Sequence, residues 1–286
     1  MAVYEQTYRR YAGPRTSRRL RFLVIPRYAY QRLAGSKLVW ALVVAAALVT
    51  LGTATLIYLK HNVRALAALN LEVGGLLPID AQFFDVYLGV ELFIGFLLVL
   101  IAGPGLVSMD LANGALPLYL GRPLARWEYL LGKLTVLAAL LSAVTWVFGL
   151  GLWLLQAVLE GGAWGASNLR IAGAIFAGSW LWILVLSFLT LALSALIRWP
   201  LAVRGVLLVV FLVLPGFGLA LSQVLQTPWG HVINLAADLG TVQAALFGVE
   251  PPIGPPLAGA ALVLVAVVAG SIALLAAKLR AYEVIK

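Results

Sequence analysis

The chain of 286 residues has no cysteine. That excludes disulfides, thiolate metal sites and thiol nucleophiles, and it leaves the redox compartment undetermined. Two histidines and two methionines are too few for a dedicated copper or zinc path. Charge is scarce as well: Asp, Glu, Lys and Arg make up 11% of the residues, against about a quarter in soluble domains. Apolar residues take the space, at 63% of the chain with a mean hydropathy of +1.02. These are the values of an integral membrane protein with no room for a sizeable water-soluble domain. No phosphate loop of the form Gly-x-x-x-x-Gly-Lys-Ser/Thr occurs, because "LLGKLT" at 130–135 lacks the upstream glycine. Nor do paired carboxylates, a histidine cluster or a Ser/His/Asp set recur at one depth. His61 and His231 both fall in loops between apolar runs, which argues against a membrane enzyme.

A bilayer core of about 30 Å takes roughly 20 apolar residues per helix, since every unpaired backbone group in lipid would cost several kcal/mol. Six stretches qualify: Leu38 to Leu59, Phe83 to Val107, Leu134 to Leu159, Ile171 to Ile197, Gly205 to Gln223 and Leu257 to Ala277. The expected fold is therefore all-α and polytopic, with six transmembrane helices spread over residues 38–277. The N-terminus does not read as a signal peptide, because its first apolar run starts late, follows many arginines and lacks a small-residue cleavage site.

Basic residues stay on the cytoplasmic side of short loops. With the N-terminus inside, seventeen of the twenty Lys and Arg residues fall in inside segments. Lys60, Arg64 and Arg170 alone lie outside, together with Glu72, Asp80, Asp85, Glu160, Asp238 and Glu250. Both termini are expected in the cytoplasm, flanking the spans as segments 1–37 and 278–286. The net charge of +9 then reflects orientation and attraction to anionic membrane lipid, and no nucleic-acid partner is expected.

Three segments outside the spans carry patterns of their own. From Pro26 to Ser36 the chain alternates apolar and basic sides well enough for a helix lying in the membrane interface, after a basic tail. The last outer loop, 224–256, holds "INLAADLGTVQAALFG" with apolar residues at helical spacing, then the proline-rich "VEPPIGPP". One or two short helices dipping into the outer leaflet fit it, and so does a surface loop closed by a proline turn. The third segment, 108–133, ends in "LYLGRPLARWEYLLGK". Pro123 suits the first turn of a new helix, and a short helix across the membrane surface is expected before the third span. Arg122 and Arg126 suit bidentate pairing with partner carboxylates, and Trp127, Glu128 and Tyr129 add contact area and charge. A basic anchor with its aromatic belt would look the same. Within the spans, Glu91 is the one acid set well inside. A buried acid there is a candidate for a translocation path, whereas a later helix start would leave it at the interface.

The stretch "GALPLYLGRPLARWEYLLGK" resembles the signature of type-2 ATP-binding cassette (ABC) transporter permeases at Gly114, Leu116, Leu120, Arg122, Pro123, Arg126, Gly132 and Lys133. The family's upstream acidic element is degraded: Asp110 and Asn113 stand near its acids, Ala115 replaces a Thr, and Pro117 follows. The layout is similar too, with an elbow helix, six spans, a coupling helix between the second and third, and short outer helices between the fifth and sixth. The resemblance implies an exporter-type permease subunit that dimerises with a second copy or a paralogue. It also implies a separate ABC ATPase, which would hold ATP and Mg and dock on the coupling helix through Arg122, Pro123, Arg126, Trp127, Glu128 and Tyr129. The expected location is a bacterial or archaeal cytoplasmic membrane. A membrane scaffold that binds a partner through the same block without transporting is the alternative.

Overall fold

The computed structural model describes residues 23–62, 78–115, 125–251 and 254–281, and every regular element among them is helical. In chain order the helices are α1 (Val24–Ala34), α2 (Lys37–His61), α3 (Ala81–Ala102), α4 (Gly105–Ala112), α5 (Arg126–Val144), α6 (Trp146–Glu160), α7 (Gly162–Ser167) and α8 (Leu169–Leu196). They are followed by α9 (Pro200–Leu208), α10 (Leu214–Leu225), α11 (Leu235–Phe247) and α12 (Leu257–Ala281).

Six helical runs are long and apolar enough to cross a membrane: α2, α3–α4, α5–α6, α8, α9–α10 and α12. Three of them are interrupted. The second span breaks at Gly103 and Pro104 between α3 and α4, and the third breaks at Thr145. In the fifth, a π turn over Val209–Val213 joins α9 to α10 just before Pro215. Proline lacks the N–H an α-helix requires and crowds the preceding turn, so a wider local turn accommodates it.

The six crossings match the six apolar runs, with three boundaries that differ most. The second span runs on to Ala112 rather than ending at Val107, and the fifth begins at Pro200 rather than Gly205. The third span begins at Arg126 rather than Leu134, so Arg126, Trp127, Glu128, Tyr129 and Lys133 belong to the spanning helix itself. Among the described residues no separate surface helix stands between the second and third spans. The reason is local: Glu128 Oε2 accepts the Ala125 N–H at 2.7 Å, satisfying one orphan donor and placing a negative charge at the helix N-terminus. Nothing between that cap and Leu134 breaks the helix. Arg122 and Pro123 lie outside the described residues, as do the basic tail before Leu23 and the last five residues.

The bundle is built around the second and fourth spans, whose apolar windows are 67% and 56% buried, against 11% for the first and 17% for the fifth. Phe96, Val99, Ile183, Leu186, Val203, Leu207 and Leu239 form the main core where α3, α8, α9 and α11 meet. One end of the bundle carries Arg27, Arg32, Lys37, Arg126, Lys133, Arg198, Arg204 and Lys278, and is called the basic face below. At the opposite face, a 3-10 turn (Pro228–Ile233) and α11 fill the connection between the fifth and sixth spans.

Candidate functional site

The basic face holds Arg126, Trp127, Glu128 and Tyr129 of the block that the sequence singled out near the second connection. It is organised by the break at Gly103 and Pro104. An uninterrupted helix would send the N–H groups of Val107 and Ser108 to the carbonyls four residues back. Here both go to Ser194 Oγ on α8, at 3.2 and 2.8 Å, while the Ser194 hydroxyl donates to Pro104 O at 2.7 Å. A serine hydroxyl offers one proton and two lone pairs, so Ser194 is saturated. The Ser108 hydroxyl donates to the same Pro104 carbonyl. Ser108 and Ser194 are both fully buried. Beside them, a Cβ on Gly103 would collide with Thr190 Cγ2, so only glycine lets the second span approach the fourth this closely.

One turn further on, Asp110 of α4 faces α5. Its Oδ2 accepts the Tyr129 hydroxyl at 2.8 Å and pairs with Lys133 Nζ at 2.8 Å, and Lys133 Nζ sits 5.4 Å from the centre of the Tyr129 ring. Tyr129 is fully buried and Lys133 is 7% exposed. A buried ammonium is tolerated only with a partner, and removing that partner is far more costly than the pair is worth. The end of the second span and the start of the third are thereby pinned to each other and, through Ser194, to the fourth.

The block expected to meet a partner divides in two. Tyr129 turns inward and closes the Asp110 cluster, so it offers no contact surface. Trp127 is 59% exposed, Arg126 is half-buried, and Glu128 is occupied by the helix cap. Ser194 escaped the sequence reasoning because it is one serine in an apolar run. The sole signal was indirect: a Gly-Pro pair inside a span frees backbone groups that some neighbour must satisfy.

Glu91 lies about 15 Å into the second span at 1.5 Å per residue, because the helix starts at Ala81. It is fully buried rather than at an interface. Its Oε1 accepts the Thr50 hydroxyl of the first span at 3.1 Å, and the Tyr87 hydroxyl lies 2.9 Å from Thr50 Oγ1. Thr50 has one proton to give, so Tyr87 donates to it, while Glu91 Oε2 has no hydrogen-bond partner. The arrangement stitches the first span to the second.

At the far face, Gln243 of α11 ties three helices together: it accepts from Trp182 Nε1 at 3.0 Å and donates to Asp85 Oδ1 at 2.8 Å. Asp238 on the same helix is fully buried with both oxygens unpartnered, and burial pushes its carboxyl up to about 7. His61 and Glu160 pair at 2.7 Å.

Together these features define an integral membrane protein with six candidate spans and a tied cluster at its basic face. No protein-family model and no curated protein matches the chain.

Proposed function

We propose that this chain is the membrane permease subunit of an ABC transporter of the exporter type, moving an unidentified substrate with ATP hydrolysed by a separate subunit. The basic face would then be cytoplasmic, α1 would lie in the interface as the elbow, and a second copy or a paralogue would complete the transport unit.

The observation that supports this reading best is the pairing of Asp110 with Tyr129 and Lys133. It holds together the two helices that flank the short connection carrying Arg122 and Pro123, with Arg126 at the first position of the second of them. A flexible connection would absorb a push from a partner, whereas one anchored at both posts passes it to α4 and α5. Ser194 passes it on to α8. A partner can bias such a bundle only by binding its two states unequally, and stiff posts are what make a docking contact state-dependent. The resemblance of the 114–133 stretch to the permease signature supports the same assignment.

The test is affinity purification in mild detergent with identification of every co-purifying chain and an ATPase assay. A stoichiometric phosphate-loop protein is expected, and the double variant Arg122→Glu/Arg126→Glu should lose it while remaining inserted. If the double variant keeps both the ATPase and its activity, the coupling assignment is wrong. Other membrane subunits in place of an ATPase would make the chain a scaffold.

A further inference from the structure

Between α1 and the basic end of the bundle lies a cleft of about 550 Å³, walled by α1 on one side and by α3, α4 and the start of α9 on the other. Arg32, Lys133 and Arg204 line it, with Asp110 as the one acid. Asp110 is already taken by Lys133 at 2.8 Å. Arg204 donates Nε to the Leu100 carbonyl at 3.0 Å, and among the described residues neither Arg32 nor Arg204 makes an ion pair. Three cations against one carboxylate leave an uncompensated positive charge in a concavity, where low-dielectric walls concentrate the field. The rest of the lining is apolar, including Leu33, Ile101 and Leu106. The cleft is not a fraying gap, because the Tyr30 hydroxyl fastens α1 to α5 by sharing its one proton between the carbonyls of Thr135 and Val136, at 3.0 and 2.9 Å.

We propose that this cleft is a binding site for the phosphodiester headgroup of an anionic glycerophospholipid. The phosphate would sit between the Arg32 and Arg204 guanidinium groups, near Lys133 Nζ, and an acyl chain would run along Leu33, Ile101 and Leu106. Guanidinium groups match phosphate oxygens in pairs, and basic pockets between transmembrane helices favour anionic headgroups. A zwitterionic lipid would bring a further cation into a cleft that already has an excess of them. A free phosphate would leave the apolar walls uncovered, so the lipid is the better occupant. The site rests on the six-span architecture alone and does not depend on the transporter assignment.

Native mass spectrometry of the full chain in mild detergent tests it, titrating phosphatidylglycerol, phosphatidylcholine and inorganic phosphate separately. One phosphatidylglycerol should be retained, about tenfold or more tighter than phosphatidylcholine, and inorganic phosphate should not displace it at equal concentration. At roughly fivefold per basic residue, Arg32→Gln should weaken retention about fivefold and Arg32→Gln/Arg204→Gln about twenty-five-fold. Arg204 also holds a backbone carbonyl, so the melting temperature is measured in parallel, and Arg32→Gln, on an exposed position of α1, stands as the variant free of that concern. Arg198→Gln/Lys278→Gln changes two basic residues outside the cleft and should leave retention unchanged. Equal retention of the two lipids, full retention by Arg32→Gln, or equal loss in the Arg198/Lys278 variant would overturn the site. Displacement by inorganic phosphate would replace the lipid with a free anion.

Discussion

The hydroxyl of Ser194 does with three hydrogen bonds what a helical turn does with its backbone: it accepts two N–H groups and donates to one carbonyl where Pro104 interrupts the second span. Its removal leaves the two N–H groups buried without partners, while the Pro104 carbonyl keeps the Ser108 hydroxyl, and the loss costs about 1–3 kcal/mol. Ser194→Ala should therefore lower the thermal midpoint in detergent clearly. Ser187→Ala, seven residues earlier on the same helix, is the matched comparison. Its hydroxyl is buried and has no partner, so the same chemical change there should leave the midpoint unchanged or raise it. Equal losses at both positions would mean that the break in the second span does not depend on Ser194.

At the scale of the element, α11 shows how a short helix is held at the far face. Asn234 caps its start, with Oδ1 accepting the Ala237 N–H at 3.1 Å. Its end turns at Gly248, where φ is +76 and both Gly248 and Val249 donate back to the Ala244 carbonyl. Arg170 from the start of α8 donates to the Leu246 and Ala245 carbonyls at 3.1 and 3.2 Å, a cation placed on the negative end of the helix. A Cβ at Gly248 would lie 2.6 Å from that guanidinium, in a backbone region that side chains disfavour. Gly248→Ala should cost about 1–2 kcal/mol from the backbone alone and displace Arg170 as well. Gly240 in the middle of the same helix meets nothing within 4 Å, and Gly240→Ala should stabilise by up to about 1 kcal/mol. Thermal unfolding of the two variants side by side reads the difference, and a loss at both would show that α11 is limited by something other than its cap.

At the scale of the whole molecule, burial is unequal. The second and fourth spans form the centre, while the first and fifth present most of their surface outward. Asp238 is a polar group enclosed near this centre, beside Leu235 and Leu239 of the main core. Its carboxyl, raised from 3.8 to about 7 by burial, makes the folded state bind a proton that the unfolded state has released. Stability is therefore expected to fall as pH rises between the two values and to level off above about 7. The wild-type protein should lose thermal midpoint from about pH 5 to about pH 8 relative to Asp238→Asn, which has no proton to lose there. Parallel pH profiles for the two proteins would place the buried charge elsewhere.

The number of crossings, most of their ends, the basic end of the bundle and the short helix before the sixth span were legible in the sequence. Hydropathy and charge act on each segment separately, against lipid or water, so a single segment contains the information. Glu91 stood out for the same reason, as the acid in an apolar run. The partners were not legible. That Ser194 answers the break at Pro104, that Asp110 pairs with Lys133 and draws Tyr129 inward, that Arg170 caps α11 and that Glu91 meets Thr50 are outcomes of which helix faces which. The continuous helix from Arg126 was missed because charged residues argue against a span in a hydropathy profile, while in three dimensions Glu128 caps the helix and Lys133 is neutralised by a carboxylate from its neighbour. Segment-by-segment solvation set the spans, and only the packing of one span on another decided where their polar groups found partners.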